Sequence, residues 1–127
     1  MRIKVYTLST CSTSKRILKE LNINKDNADI QDIKYNNISP QQIDHMKNLS
    51  GSYCNLFSKR AQKYKEVKPK NGELTEDEMR NLIINEYTFL KRPVVIIDDE
   101  IFIGNSKKNI KNLSTTLSTY NSNNMQL

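Results

Sequence analysis

The chain has 127 residues, 36% of them hydrophobic, which suffices for one compact domain and not for two. Its longest purely apolar run, Val94-Val95-Ile96-Ile97, is far short of the roughly 20 residues that a membrane span needs. Twenty basic residues against fourteen acidic ones give a net charge of +6, a surplus that attracts anions and acidic partners.

The opening residues Arg2-Ile3-Lys4-Val5 alternate charge with apolar side chains. They lack the apolar core of a signal peptide, so a cytoplasmic protein is expected. Residues 2–8 keep the period of two, with Ile3, Val5 and Thr7 against Lys4, Tyr6 and Leu8, which predicts a strand. Ser9-Thr10 is a polar break. Ile17, Leu18 and Leu21 then form one stripe of a helix over about 12–22. Residues 28–34 alternate again around Ile30 and Ile33. Strand, helix and strand in this length make a βαβ unit with parallel strands and a right-handed crossover.

Ser39-Pro40 starts the next helix, with the serine as cap and proline in the first turn. Ile43, Met46 and Leu49 supply its apolar side, and Gly51 ends it. Tyr53, Leu56, Phe57, Ala61 and Tyr64 have the spacing of a further helix. Pro69, Asn71 and Gly72 mark a loop over 68–74. Thr75 with Glu78 three residues on is a capping box, and its helix carries Met79, Leu82, Ile83 and Tyr87. Val94–Ile97, the turn Asp98-Asp99 and Ile101-Phe102-Ile103 read as a β-hairpin. Gly104 breaks it. Ser106 caps a last helix with Ile110, Leu113, Leu117 and Tyr120 on one side, and 121–127 is a polar, frayed tail.

The order is β-α-β, three helices, then β-β-α. Without the middle helices this is a thioredoxin-like α/β fold, a mixed four-stranded sheet with helices on both faces. One domain over 1–120 is expected, with a helical insertion at about 39–88. With three glycines in the whole chain, a dinucleotide fingerprint and a P-loop are excluded.

The two cysteines, Cys11 and Cys54, are too few for a disulfide scaffold, and with a single histidine they make no structural zinc site, so no metal is expected. Cys11 lies where the first strand hands over to the first helix, the edge at which open α/β sheets place their chemistry. Unpaired N–H groups and the positive helix end favour a thiolate there. Thr13, Ser14 or Ser12 can donate hydrogen bonds, and Lys15 and Arg16 add positive field. Together these lower the thiol pKa from about 8.5 and make Cys11 a candidate nucleophile. The segment Cys11-Ser12-Thr13-Ser14 has serine where a dithiol motif has its second cysteine. Cys11 then depends on an external thiol such as glutathione, or on Cys54, which reads as a small packing residue.

Lys91-Arg92-Pro93 leads into the apolar strand. In a thioredoxin arrangement the matching proline is cis and lies against the reactive cysteine. Arg92 would point to the same pocket, where an arginine binds an oxyanion or stabilises a thiolate. Between Lys59 and Lys70 six basic residues face Glu66 alone. No base-stacking aromatic pattern accompanies them, so direct nucleic-acid binding is not expected.

These pieces, in order, resemble the arsenate reductase (ArsC) and Spx family of thioredoxin-like proteins. They are Tyr6-Thr7-Leu8-Ser9-Thr10-Cys11 opening into Lys15-Arg16, then Leu56-Phe57-Ser58-Lys59-Arg60-Ala61 with Tyr64-Lys65-Glu66. Leu74-Thr75-Glu76-Asp77-Glu78 follows, and Phe89-Leu90-Lys91-Arg92-Pro93-Val94-Val95-Ile96 continues to Ile103-Gly104. The resemblance covers about residues 2–113. It implies that Cys11 attacks arsenate, with glutathione and glutaredoxin completing the reduction and no bound cofactor. It implies that Arg92 and Arg60 hold the oxyanion. A further family arginine after the last strand is absent from Gly104-Asn105-Ser106-Lys107, where Lys107 is the substitute. The alternative is a Spx-type regulator that binds RNA polymerase without turnover. Such sensors use a Cys-x-x-Cys switch, which Ser14 removes.

Overall fold

A computed structural model describes residues 2–125, with only the backbone of 121–125. The elements are β1 (Ile3–Thr7), α1 (Ser12–Glu20), β2 (Asp29–Asp32), α2 (Pro40–Ser50), α3 (Tyr64–Val67), α4 (Glu76–Asn85), β3 (Val94–Ile97), β4 (Glu100–Ile103) and α5 (Lys107–Met125). The chain divides into two compact units, residues 1–32 with 92–127, and residues 33–91. The second is wider than the insertion over 39–88 read from the sequence.

The first unit holds the sheet, in the order β2-β1-β3-β4. β1 runs parallel to β2 and antiparallel to β3, and β3 and β4 are antiparallel. This is the mixed thioredoxin-like sheet. The period of two in β1 sends Ile3 and Val5 to one face, where they join Val95, Ile97 and Phe102 against Leu18 and Ile23 of the α1 segment and Leu113 of α5. α1 stops at Glu20, two residues before the expected end. Asn22 adopts φ +56°, a left-handed conformation that asparagine tolerates, and Ile23 N–H bonds back to Leu18 C=O at 2.9 Å. The hairpin turn places Asp98 at φ +53°. Its N–H donates to Arg2 C=O, and its Oδ1 accepts from Arg2 N–H, both at 2.9 Å, which fixes the start of β1 to the turn. Ser106 Oγ accepts from Asn109 N–H at the head of α5. The helical backbone continues to Met125 rather than fraying from 121, and residues 126 and 127 of the expected tail lie outside the described residues.

In the second unit both caps form as read. Ser39 and Gln42 make one reciprocal capping box, Thr75 and Glu78 another, and Gly51 closes α2 at φ +98°. The helix expected over Tyr53–Tyr64 does not form. Glu76 Oε1 and Oε2 accept from the N–H groups of Tyr53 and Cys54, at 2.8 and 3.0 Å, and hold that stretch in turns. Next, Phe57 bridges to Leu90 in antiparallel fashion, Ser58 N–H donates to Phe89 C=O at 2.7 Å, and Lys91 N–H donates to Leu56 C=O at 2.9 Å. That pairing demands extended backbone, so tertiary contacts override the helical spacing. Only Tyr64–Val67 keeps a helical turn. Tyr87, expected on α4, sits instead in a 3-10 turn over Tyr87–Phe89.

Asp44 of α2 ties the unit together. Arg80 of α4 donates to it twice, at 2.7 and 3.1 Å, and Tyr53 Oη donates at 2.6 Å. Arg80 and then Tyr53 hold the Asp44 carboxyl down to about 2. The pair's contribution to stability is therefore present above the unfolded value of about 3.9 and is lost as pH falls through about 2. A carboxyl-carbon NMR titration should find Asp44 at the low value, and Arg80→Gln should raise it part of the way, with Tyr53 still donating. Leu113 is fully buried whereas Leu117 is partly exposed. Leu113→Ala should lower the urea-unfolding free energy by about 2–5 kcal/mol, and Leu117→Ala by clearly less.

Candidate active site

The segment after β1 is built to present Cys11. Cys11 N–H donates to Leu8 C=O at 3.1 Å, closing a turn over Leu8–Cys11. Ser9 N–H donates to Asp32 Oδ2 at 3.3 Å, tying that turn to the end of β2. Cys11 is the N-cap residue of α1 with extended backbone, and its C=O accepts from Lys15 N–H. The sulfur thus sits where the first N–H groups of the helix lack intrahelical partners.

Three serine or threonine side chains follow Cys11, and helical geometry selects among them. Ser14, three residues on, lies on the same face and is fully buried. Its Oγ donates to Cys11 Sγ at 3.3 Å. Ser12 is exposed and Thr13 half-exposed. Lys15 is exposed as well, and Arg16 turns to Glu20, with 3.2 Å between Nη1 and Oε1. The cation at the sulfur is instead Arg92, from the opposite strand connection. Burial pushes the Cys11 thiol up. The Ser14 hydroxyl, the Ser14 backbone N–H and the Arg92 guanidinium outweigh it and hold the thiol below its ordinary value.

Arg92 is placed by the sheet. The Arg92–Pro93 peptide is cis. Gly104 N–H donates to Pro93 C=O at 2.8 Å, one step beyond the Val94–Ile103 pair of the hairpin. Gly104 has φ +87°, where L side chains are strained, and its C=O accepts from Asn109 Nδ2 at 2.8 Å. The hairpin and the head of α5 therefore fix the residue next to Arg92. Lys107 is exposed in the first turn of α5. Arg60 belongs to the second unit, also exposed, in the turns before α3.

Cys54 is exposed, not a packing residue. Once its segment becomes a turn capped by Glu76, Leu56 and Phe57 take the buried positions. Among the described residues no cluster of three His, Cys, Asp or Glu could hold a metal ion, and no helix is long and apolar enough to cross a membrane.

The model of the ArsC family matches residues 6–113. An arsenate reductase from Vibrio cholerae superposes with a TM-score of 0.74 at 16% identity, covering 88% of this chain and 97% of that one. An ArsC family related protein from Bacteroides fragilis gives 0.72 at 24% identity, covering 89% and 99%. A possible arsenate reductase from Streptococcus mutans gives 0.61 at 26% identity, covering 83% and 91%. No curated protein matches the chain in sequence.

Because the thiolate is the reacting form, alkylation of Cys11 should hold its rate at lower pH than a free thiol and fall as pH drops through the lowered pKa. In a Cys54→Ser background, iodoacetamide rates against pH should give a midpoint below that of a free thiol. Ser14→Ala and Arg92→Gln should each move it upward. A midpoint at or above the free-thiol value would remove the basis for a reactive Cys11.

Proposed function

The chain belongs to the ArsC family, and from that premise we propose that it is a thiol-dependent reductase of arsenate or a related oxyanion. The observation that carries this reading is the Cys11 sulfur with a buried hydroxyl donor, Ser14, and the Arg92 guanidinium as the cation that helps hold its thiol low. The same guanidinium suits a tetrahedral oxyanion, to which it offers a planar fork of donors. Lys107 is the further proposed oxyanion ligand.

The thiolate of Cys11 forms a bond to arsenic, and one arsenate oxygen leaves as hydroxide and is protonated to water. A glutathione thiolate then attacks Sγ. The sulfur–arsenic bond breaks, its electron pair stays with arsenic, and As(V) becomes As(III). A disulfide between Cys11 and glutathione remains. Ser14 cannot resolve it, so a second external thiol, glutathione or glutaredoxin, returns Cys11 to the thiol. Those reductants are cytoplasmic, and we place the reaction there. A Spx-type regulator of RNA polymerase is the weaker reading. The position that its switch disulfide would use carries the Ser14 hydroxyl.

The test is arsenate reduction coupled through glutathione and glutaredoxin. Cys11→Ser should abolish turnover, and Cys54→Ser should leave it unchanged. Arg92→Ala should lower kcat/KM by about 10²–10³, the scale of losing one preorganised donor to a developing charge. Turnover that survives Cys11→Ser would overturn the proposal, whereas binding of RNA polymerase without any turnover would favour the regulator.

A further inference from the structure

The net charge of the molecule is concentrated in one segment. Residues 59–70 carry six cations and one acid, while the rest of the chain carries fourteen basic and thirteen acidic residues. All six cations are exposed. Lys59 lies 3.8 Å from Glu73 and Lys63 lies 2.7 Å from Glu86. Arg60, Lys65, Lys68 and Lys70 make no ion pair among the described residues. The backbone beneath them is anchored. The Tyr64 ring meets Phe57 edge-on at 6.0 Å, and Phe57 stacks on Phe89 at 5.1 Å. Crowded like charges repel one another, and an apposed anionic surface relieves that repulsion.

We propose that residues 59–70 form a docking surface for an acidic face of another protein, with Lys65, Lys68 and Lys70 as its principal contacts. Other polyanions fit less well. Tyr64 is the one aromatic residue of the segment and it contacts Phe57, so no series of stacking platforms runs beside the charges. The four-residue α3 is too short to serve as a groove-reading helix. The exposed large hydrophobic residue among those described is Tyr35, outside the segment, so no apolar wedge accompanies the charges into a bilayer. Glu66 sits amid the cations and would meet like charge on a uniform phosphate surface. A protein face can set a basic residue opposite it. Such a surface steers encounter and selects partners, and salt screens it. The proposal stands apart from the thiol chemistry, since Lys65, Lys68 and Lys70 have no part in it.

The experiment uses the full chain and measures binding of labelled poly-L-glutamate, duplex DNA of equal charge and phosphatidylserine vesicles, at low and physiological salt. Poly-L-glutamate should bind most tightly, and the triple variant Lys65→Glu, Lys68→Glu, Lys70→Glu should weaken it by at least about tenfold. The triple variant Lys25→Glu, Lys108→Glu, Lys111→Glu has the same net charge and should weaken it by no more than about twofold. Should the first triple misfold, the corresponding lysine-to-glutamine triple carries the same comparison with a smaller loss. Equal losses in the two triples, or tighter binding of DNA or vesicles than of poly-L-glutamate, would overturn the proposal.

Discussion

The proposed chemistry depends on a contest at one sulfur. Burial alone would protonate Cys11 and make it an inert small hydrophobe. The Ser14 hydroxyl and N–H and the Arg92 guanidinium reverse that outcome. Helix geometry supplies the first two, because the third residue after the cap shares its face. The third comes from a residue 81 positions away in sequence, so it requires the folded sheet.

Every other feature of the site serves that arrangement. The antiparallel pairing of β1 with β3 brings the Arg92 connection beside the end of β1, where Cys11 begins α1. The bond from Gly104 to Pro93 and the bond from Asn109 to Gly104 carry the constraint on to the hairpin and α5. Ser14 serves two ends with one substitution. It donates to the sulfur, and it removes the partner thiol that would let Cys11 close a local disulfide. The sulfur that results has a lowered pKa and no partner thiol three residues on.

The segment over 53–64 shows where local pattern misleads. Tyr53, Leu56, Phe57, Ala61 and Tyr64 have helical spacing, but Glu76 captures two of the N–H groups and the strand-like contact with Leu90 takes the next stretch. Glu76 was legible only as an acidic residue between the two members of a capping box, since a carboxylate's distant partners leave no mark in sequence. Cys54 follows from the same event. In a helix it would have packed inward, and in a turn it faces solvent. At Cys11 the sequence offered three hydroxyls and three cations, Lys15, Arg16 and Arg92, without ranking them. Lys15 and Arg16 proved to be exposed, and burial singled out Ser14.

Composition and periodicity by themselves determined the helices outside 53–64, the strands, the Ser39 and Thr75 caps, the hairpin and the position of Cys11 at a helix head. These are set by neighbours within a few residues, through alternation, side-chain caps and left-handed turn residues, and such interactions are written directly in the chain. Which cation meets the sulfur, which hydroxyl is buried, and whether 53–64 is helix or turn were decided by contacts between residues far apart in sequence. Those contacts depend on strand register and burial, and neither exists until the sheet has assembled.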